Sequence, residues 1–159
     1  MPPDLIQPAQ PRLELLGHFR AELGEPLELG ETLWGRRRVI PIAGGAFDGP
    51  LLRGTVLPGG ADWQVVHADG MATIDTRYTL KTHDGVLVSV ATQGVRHGPA
   101  DVLARIAGGE LVDPAEYYFR VSIRYEVTEG EYGWLNRIVA VASAIRLANA
   151  VAYDAYAVR

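Results

Sequence analysis

The chain has no cysteine. Disulfides, thiolate zinc sites and cysteine nucleophiles are therefore excluded. Histidine is scarce: His18, His67, His83 and His97 are scattered, with no second histidine at helical or alternating spacing. No metal site is expected on that ground. There is no run of about 18 apolar residues, so no transmembrane helix is expected and no membrane partner. Positive charge is not concentrated. Lysine and arginine number 15 against 19 acids, a net charge of −4, and the longest basic block is Arg36-Arg37-Arg38. Nucleic-acid binding needs a concentrated basic face and is disfavoured. The opening MPPDLIQPAQP has four prolines and no basic segment followed by an apolar run. It does not read as a secretory signal. A cytoplasmic location is expected, with residues 1–11 as a flexible arm.

Catalytic signatures are missing too. Ser89, Ser122 and Ser143 lie in strand-like runs without a nucleophile elbow. Gly44-Gly45 and Gly59-Gly60 do not follow a strand and open a helix, so no dinucleotide or phosphate loop is formed. No cofactor is expected. There is no internal repeat and no low-complexity segment.

What is present is the material of one domain: 159 residues, 48% apolar and 21% charged. Period-two alternation dominates. Residues 12–23 alternate with Leu13, Leu15, Gly17, Phe19, Ala21 and Leu23 on one face. Residues 27–34 form an irregular second strand. Residues 38–43 form another, in which Pro41 requires an edge or bulged position. The three glycines of GGAFDGP, 44–50, predict a bend, a bulge or a close backbone approach. A short strand follows over 51–57.

The stretch 58–85 holds three turn signals, Gly59-Gly60, Asp69-Gly70 and Asp84-Gly85. Strands over 62–67 and 71–82 lie between them. A strand from residue 86 pairs back on 71–82. Pro99 and Gly108 bracket the clearest helix, 99–107, a lid or plug outside the sheet. Asp113-Pro114-Ala115-Glu116 has capping-box spacing and starts a further helical turn. In 117–128, Tyr117, Phe119, Val121, Ile123 and Tyr125 share one face. Residues 137–148 favour helix by composition but keep Val139, Val141, Ile145 and Leu147 on one parity. That parity predicts a strand, with the alanine face pressed against another element or lining a cavity. A last strand covers 151–158.

Strands adjacent in sequence, tight turns and one short helix predict an all-β domain over residues 12–159. The expected architecture is a closed or nearly closed antiparallel up-and-down β-barrel of roughly eight to ten strands. A two-sheet sandwich is the alternative.

The segments GAFDGP (45–50), LPGGADW (57–63), DG-x4-DTRY-x3-T-x-DG (69–85), YYFR (117–120) and WLN (134–136) together resemble a known family. This is the family called domain of unknown function 3237, uncharacterised UPF-type proteins of bacteria and fungi. The resemblance runs over residues 12–158; the alanine-rich stretch 140–150 is less typical of it. It implies a self-associating β-barrel, expected here as a homodimer, and no settled reaction.

The candidate site residues come from the central meander and two later segments. Asp75 and Arg77 are two apart on one strand and share a face with Thr73 and Thr79. Ile74, Tyr78 and Leu80 share the other. If the polar face looks inward, Asp75 is a general base and Arg77 or Arg120 an oxyanion stabiliser. If it looks outward, the pair is a surface ion pair contributing about 0–1 kcal/mol. Asp62, Trp63, Arg120, Trp134 and Asn136 are candidate substrate-binding residues. Trp63 has a competing reading, with the indole in the core and Asp62 capping the turn. Two functions are consistent with this set. One is a cofactor-free isomerase, lyase or cyclase acting on a carbonyl- or carboxylate-bearing small molecule. The other is a binding or structural barrel without catalysis.

Overall fold

The computed structural model describes residues 6–159. Of the expected arm, residues 1–5 lie outside the described residues; residues 6–11 are exposed and form neither helix nor strand. Ten strands follow: β1 (Leu13–Leu23), β2 (Leu27–Thr32), β3 (Gly35–Asp48), β4 (Gly54–Val56), β5 (Ala61–Val66), β6 (Ala72–Thr82), β7 (Leu87–His97), β8 (Tyr118–Glu126), β9 (Val139–Arg146) and β10 (Ala150–Val158). Helix α1 (Ala100–Ala107) stands between β7 and β8. Among the described residues, no helix is long and apolar enough to cross a membrane.

The strands close on themselves. Antiparallel pairing runs β1-β10-β9-β8-β7-β6, β6 pairs with both β4 and β5, both of these pair with β3, and β3 pairs with β1. This is a closed eight-position barrel with two extra strands, and the sandwich alternative falls away. Closure depends on β3. Its first half pairs with β2 and β5, and its second half with β1 and β4. Pro41 sits where β2 has left one edge and β1 has not yet joined: Val39 is the last β2 partner and Ile42 the first β1 partner. A residue without an N–H is least costly there.

The change of partner is completed at Gly44-Gly45, both at positive φ (142° and 143°), where β4 joins. Gly45 is opposite Ala21 on one side and Val56 on the other. A Cβ on it would lie 2.0 Å from the Arg20 carbonyl oxygen. Only glycine fits so close a backbone approach. Strand β3 is longer than the expected 38–43, and β4 is shorter than the expected 51–57.

Parity sorts the interior. On β6, Ala72, Ile74, Thr76, Tyr78, Leu80 and Thr82 are buried, while Asp75 and Arg77 are not. On β8 every expected apolar residue from Phe119 to Tyr125 is buried, and its neighbours are exposed. The ambiguous run 137–148 is a strand, and its alanines Ala140, Ala142 and Ala144 face in. With Ala155 and Ala157 of β10 they form a wall of small side chains. Next to this wall, across the adjoining strands β10, β1 and β3, Phe19 stacks on Phe47 at 4.8 Å and on Tyr153 at 4.7 Å. One departure from strict alternation lies in β1. A bulge between Leu15 and Gly17 turns Leu16, not Leu15, into the core.

The two ends differ. One is packed with Leu16, Leu52, Leu80, Val88 and Leu135, each fully or nearly fully buried. Each such side chain contributes about 1.5–3 kcal/mol by leaving water. The other end is covered by α1, which buries Val102 and Ile106 against the barrel. The expected lid is thus observed.

Replacing Gly45 by Ala should destabilise the fold by about 2 kcal/mol or more, from backbone strain and the clash with β1. Chemical denaturation measures this. An unchanged midpoint would show that the β1–β3 seam can relax.

Candidate functional site

Strand β5 carries a polar pair into the barrel. Asp62 and Gln64 share a parity, and both are buried. The Asp62 carboxylate accepts the Asp75 backbone N–H at 3.0 Å through Oδ1 and the Gln64 side-chain amide at 3.1 Å through Oδ2. The β5–β6 ladder is interrupted at this point: it pairs Ala61 with Arg77 and Asp62 with Thr76, then resumes at Val65 and Thr73. A side-chain oxygen has taken a backbone donor from the sheet. Burial pushes the Asp62 pKa above its ordinary 3.8, and the two N–H donors and the charge of Arg96 only partly offset this.

Asp62 lines a cavity of about 60 Å³ in the barrel interior, with Ile40, Ile74, Thr76, Tyr78, Thr92, Phe119, Ala144 and Tyr153 around it. That space suits a few waters or the reacting end of a ligand. Two hydroxyl pairs border it, Thr76 with Thr92 and Tyr78 with Tyr153. Burial raises Tyr78 to about 12 and Tyr153 well above its ordinary value. Both phenols therefore keep their protons at neutral pH. One O–H is used within the pair, and the other remains to donate to a ligand oxygen.

Above this cavity, at the end under α1, three arginines converge. Arg38 donates from Nε and Nη2 to the Gln64 side-chain oxygen at 3.2 and 2.7 Å, so Arg38, Gln64 and Asp62 form one hydrogen-bonded chain. The Arg96 guanidinium lies 5.5 Å from the centre of the Phe119 ring. Its Nε is sealed from solvent and has no hydrogen-bond partner among the described residues. Burial, and then the charges of Arg146 and Arg38, lower its pKa to about 10. Arg146 donates to the carbonyls of Leu147 at 2.7 Å and Ala150 at 3.2 Å.

Of the seven residues singled out from the sequence, the structure places only Asp62 on this cavity. The question left open for Asp75 and Arg77 is answered: their face looks out of the barrel. They border a groove with Gln93, Ser122 and Arg124 on the outer surface. The expected pocket pair is corrected for a plain reason: the bulky apolar parity of β6, Ile74, Tyr78 and Leu80, takes the interior. The competing reading of Trp63 is reversed as well. The indole is 40% exposed, and Asp62 is the buried partner. Arg120 is also on the outside, donating to the Phe119 carbonyl at 3.0 Å and lying over the Tyr118 ring. Trp134 is at the opposite, packed end, beneath the Arg159 guanidinium. The Asn136 side chain is committed to the Val127 backbone, accepting its N–H at 2.9 Å and donating to its carbonyl at 2.8 Å. It orients a loop and not a ligand.

The residues missed were Thr76, Tyr78, Tyr153, Gln64 and the three arginines. A signal for the arginines existed. Arg38 continues the parity of Ile40 and Ile42, Arg96 that of Val88 and Val90, and Arg146 that of the β9 alanines. Each is an inward position at the same rim. Tyr78 shares the apolar face of β6 with Ile74 and Leu80, which reads as packing, and Thr76 has the same parity.

Comparison with known proteins agrees with this architecture. Residues 11–158 match the family model described as protein of unknown function (DUF3237). A UPF0311 protein of Bradyrhizobium diazoefficiens is 40% identical over 138 residues, covering 87% of this chain and 90% of that protein. A β-barrel-like protein from Acinetobacter baumannii is 47% identical, with a TM-score of 0.87, covering 98% of this chain and all of the other. An enzyme from Penicillium herquei has the same fold at 20% identity, with a TM-score of 0.72, covering 97% of this chain and 98% of that one.

The raised Asp62 pKa sets a sign for stability. The folded state holds the Asp62 proton more tightly than the unfolded state, so this group favours folding at low pH. That contribution is lost as pH rises through the folded pKa. The melting temperature of the wild type relative to Asp62→Asn should therefore fall between about pH 4 and about pH 7. A difference that grows with pH would mean a depressed Asp62 pKa.

Proposed function

The chain belongs to the DUF3237 family, and from that premise and its interior geometry we propose a cofactor-free acid–base enzyme of the isomerase, lyase or cyclase type. Its substrate is a small molecule bearing a carbonyl group. The observation that carries this reading is the buried Asp62 carboxyl, facing an otherwise apolar cavity beside the Tyr78–Tyr153 pair. A carboxyl group with a raised pKa accepts a proton more readily than an ordinary one.

In the proposed step, Asp62 removes a proton from the carbon next to the carbonyl. The electron pair of that C–H bond becomes the C=C bond of the enolate as the carbonyl π pair moves onto oxygen, where a tyrosine O–H donates to it. Asp62 then returns the proton at the same or a conjugated carbon. The Asp75 amide and Gln64 keep the carboxyl group aimed throughout. Only the reacting end of the molecule needs to fit the inner cavity. The Penicillium herquei enzyme is consistent with a catalytic use of this barrel, but the residue roles here rest on this chain alone.

The test is exchange of α-protons for deuterium in a panel of cyclic ketones and keto acids, followed by proton NMR. Asp62→Asn should slow exchange by about 10²- to 10⁴-fold. Tyr78→Phe or Tyr153→Phe should slow it by about 10²-fold. Asp75→Asn and Arg77→Gln should leave it unchanged. Full exchange in Asp62→Asn would refute the assignment. Saturable binding without any exchange in the wild type would make the barrel a carrier.

A further inference from the structure

Hydrogen bonds within the protein account for Arg38 and Arg146 in the arginine layer, but not for Arg96. Three guanidinium groups at one rim repel one another, and both Arg96 and Arg146 have lowered pKa values partly for that reason. Two carboxylates stand near them. Glu28 is 3.7 Å from Arg38, and Asp62 already accepts two hydrogen bonds. Neither reaches Arg96, whose buried Nε donates to nothing among the described residues. A buried donor without a partner is unfavourable to folding. A fold that only needed packing would have an apolar residue at that position.

Beyond the arginines lies a second cavity of about 330 Å³, lined by Arg38, Arg96 and Arg146 on the barrel side and by Leu103, Ile106 and Ala107 of α1 on the other. Its size is that of a small-molecule site. One wall is cationic, and the facing wall is an apolar helix surface. We propose that this cavity binds a small organic carboxylate, with Arg96 and Arg146 holding the carboxylate group and the inner face of α1 covering its apolar body.

The chemistry follows from the guanidinium fork. A planar group with parallel N–H donors matches the two oxygens of a carboxylate. Bringing in one negative charge offers the cavity-lining guanidinium groups of Arg96 and Arg146 an anionic partner and relieves the repulsion among the cations. Phe119 joins the two cavities: its ring carries Arg96 on one side and lines the Asp62 cavity. The carboxylate site does not require Asp62 to be catalytic, so it stands or falls separately from the proposed reaction.

Titration calorimetry with benzoate, benzamide and inorganic phosphate tests the proposal on the full chain. Benzoate should bind saturably and raise the melting temperature. Benzamide has the same shape without the charge and should bind at least about tenfold more weakly. Arg96→Met should lose at least about tenfold in benzoate affinity, and Arg146→Met should do the same. Both variants remove a repelling charge, so the fold should survive, which circular dichroism would verify. Arg77→Gln on the outer surface should bind like the wild type. Asp62→Asn should bind benzoate as well or better, even where it abolishes exchange. The proposal is overturned if benzamide matches benzoate, if Arg96→Met binds normally, or if benzoate does not saturate by about 50 mM. Phosphate binding tighter than benzoate by about tenfold would overturn the carboxylate assignment.

Discussion

The partner exchange of β3, completed at Gly44-Gly45, is the constraint on which the rest depends. Between Val39 and Gly45 the strand leaves β2 and β5 and joins β1 and then β4, and the sheet becomes a barrel. A closed sheet has no free edge along its circumference and has an inside. Without that inside, Asp62 would be an ordinary surface acid and Tyr78 would have no Tyr153 to meet. The pKa shifts of the interior groups are consequences of closure before they are properties of the residues.

Closure also divides labour between the ends. At one end large aliphatic side chains fill the lumen, and Tyr132 donates to Asp84 at 2.9 Å beside them. At the other, the inward parity of three strands finishes in arginine. Between them the polar content includes Asp62, Gln64, Thr76, Thr92 and the buried tyrosines Tyr78, Tyr125 and Tyr153. The interruption of the β5–β6 ladder belongs to the same pattern. A backbone N–H that would normally stabilise the sheet instead fixes the orientation of a buried carboxyl. Some sheet regularity is given up where a side chain must be held in one geometry.

The fold was largely legible in the sequence because turns and alternation are local. Asp69-Gly70 and Asp84-Gly85 gave the hairpins, and the parity of β8 and β9 gave the strands. Barrel rather than sandwich followed from the count of adjacent strands, but the route of closure did not, since β3 has different partners along its length. The site was less legible. Asp75 and Arg77 attracted notice because charged residues at spacing two look like a constellation, yet alternation puts them outside once Ile74, Tyr78 and Leu80 are granted the core. Asp62 and Trp63 are adjacent, so one must face out. Residue type favoured the indole inside, and tertiary pairing decided otherwise. The phenol pair joins strands 75 residues apart, which no local pattern announces.

The alanine wall of β9 and β10 has a consequence for the versatility of this scaffold. Ala144 borders the inner cavity directly, and Ala140, Ala142, Ala155 and Ala157 continue the same surface. Added methyl groups at Ala144 would shrink the lumen, while the other four alanines are already closely packed. Ligand size in such a barrel is therefore adjustable in small volume steps on β9, while Asp62 and Tyr78 stay fixed on β5 and β6.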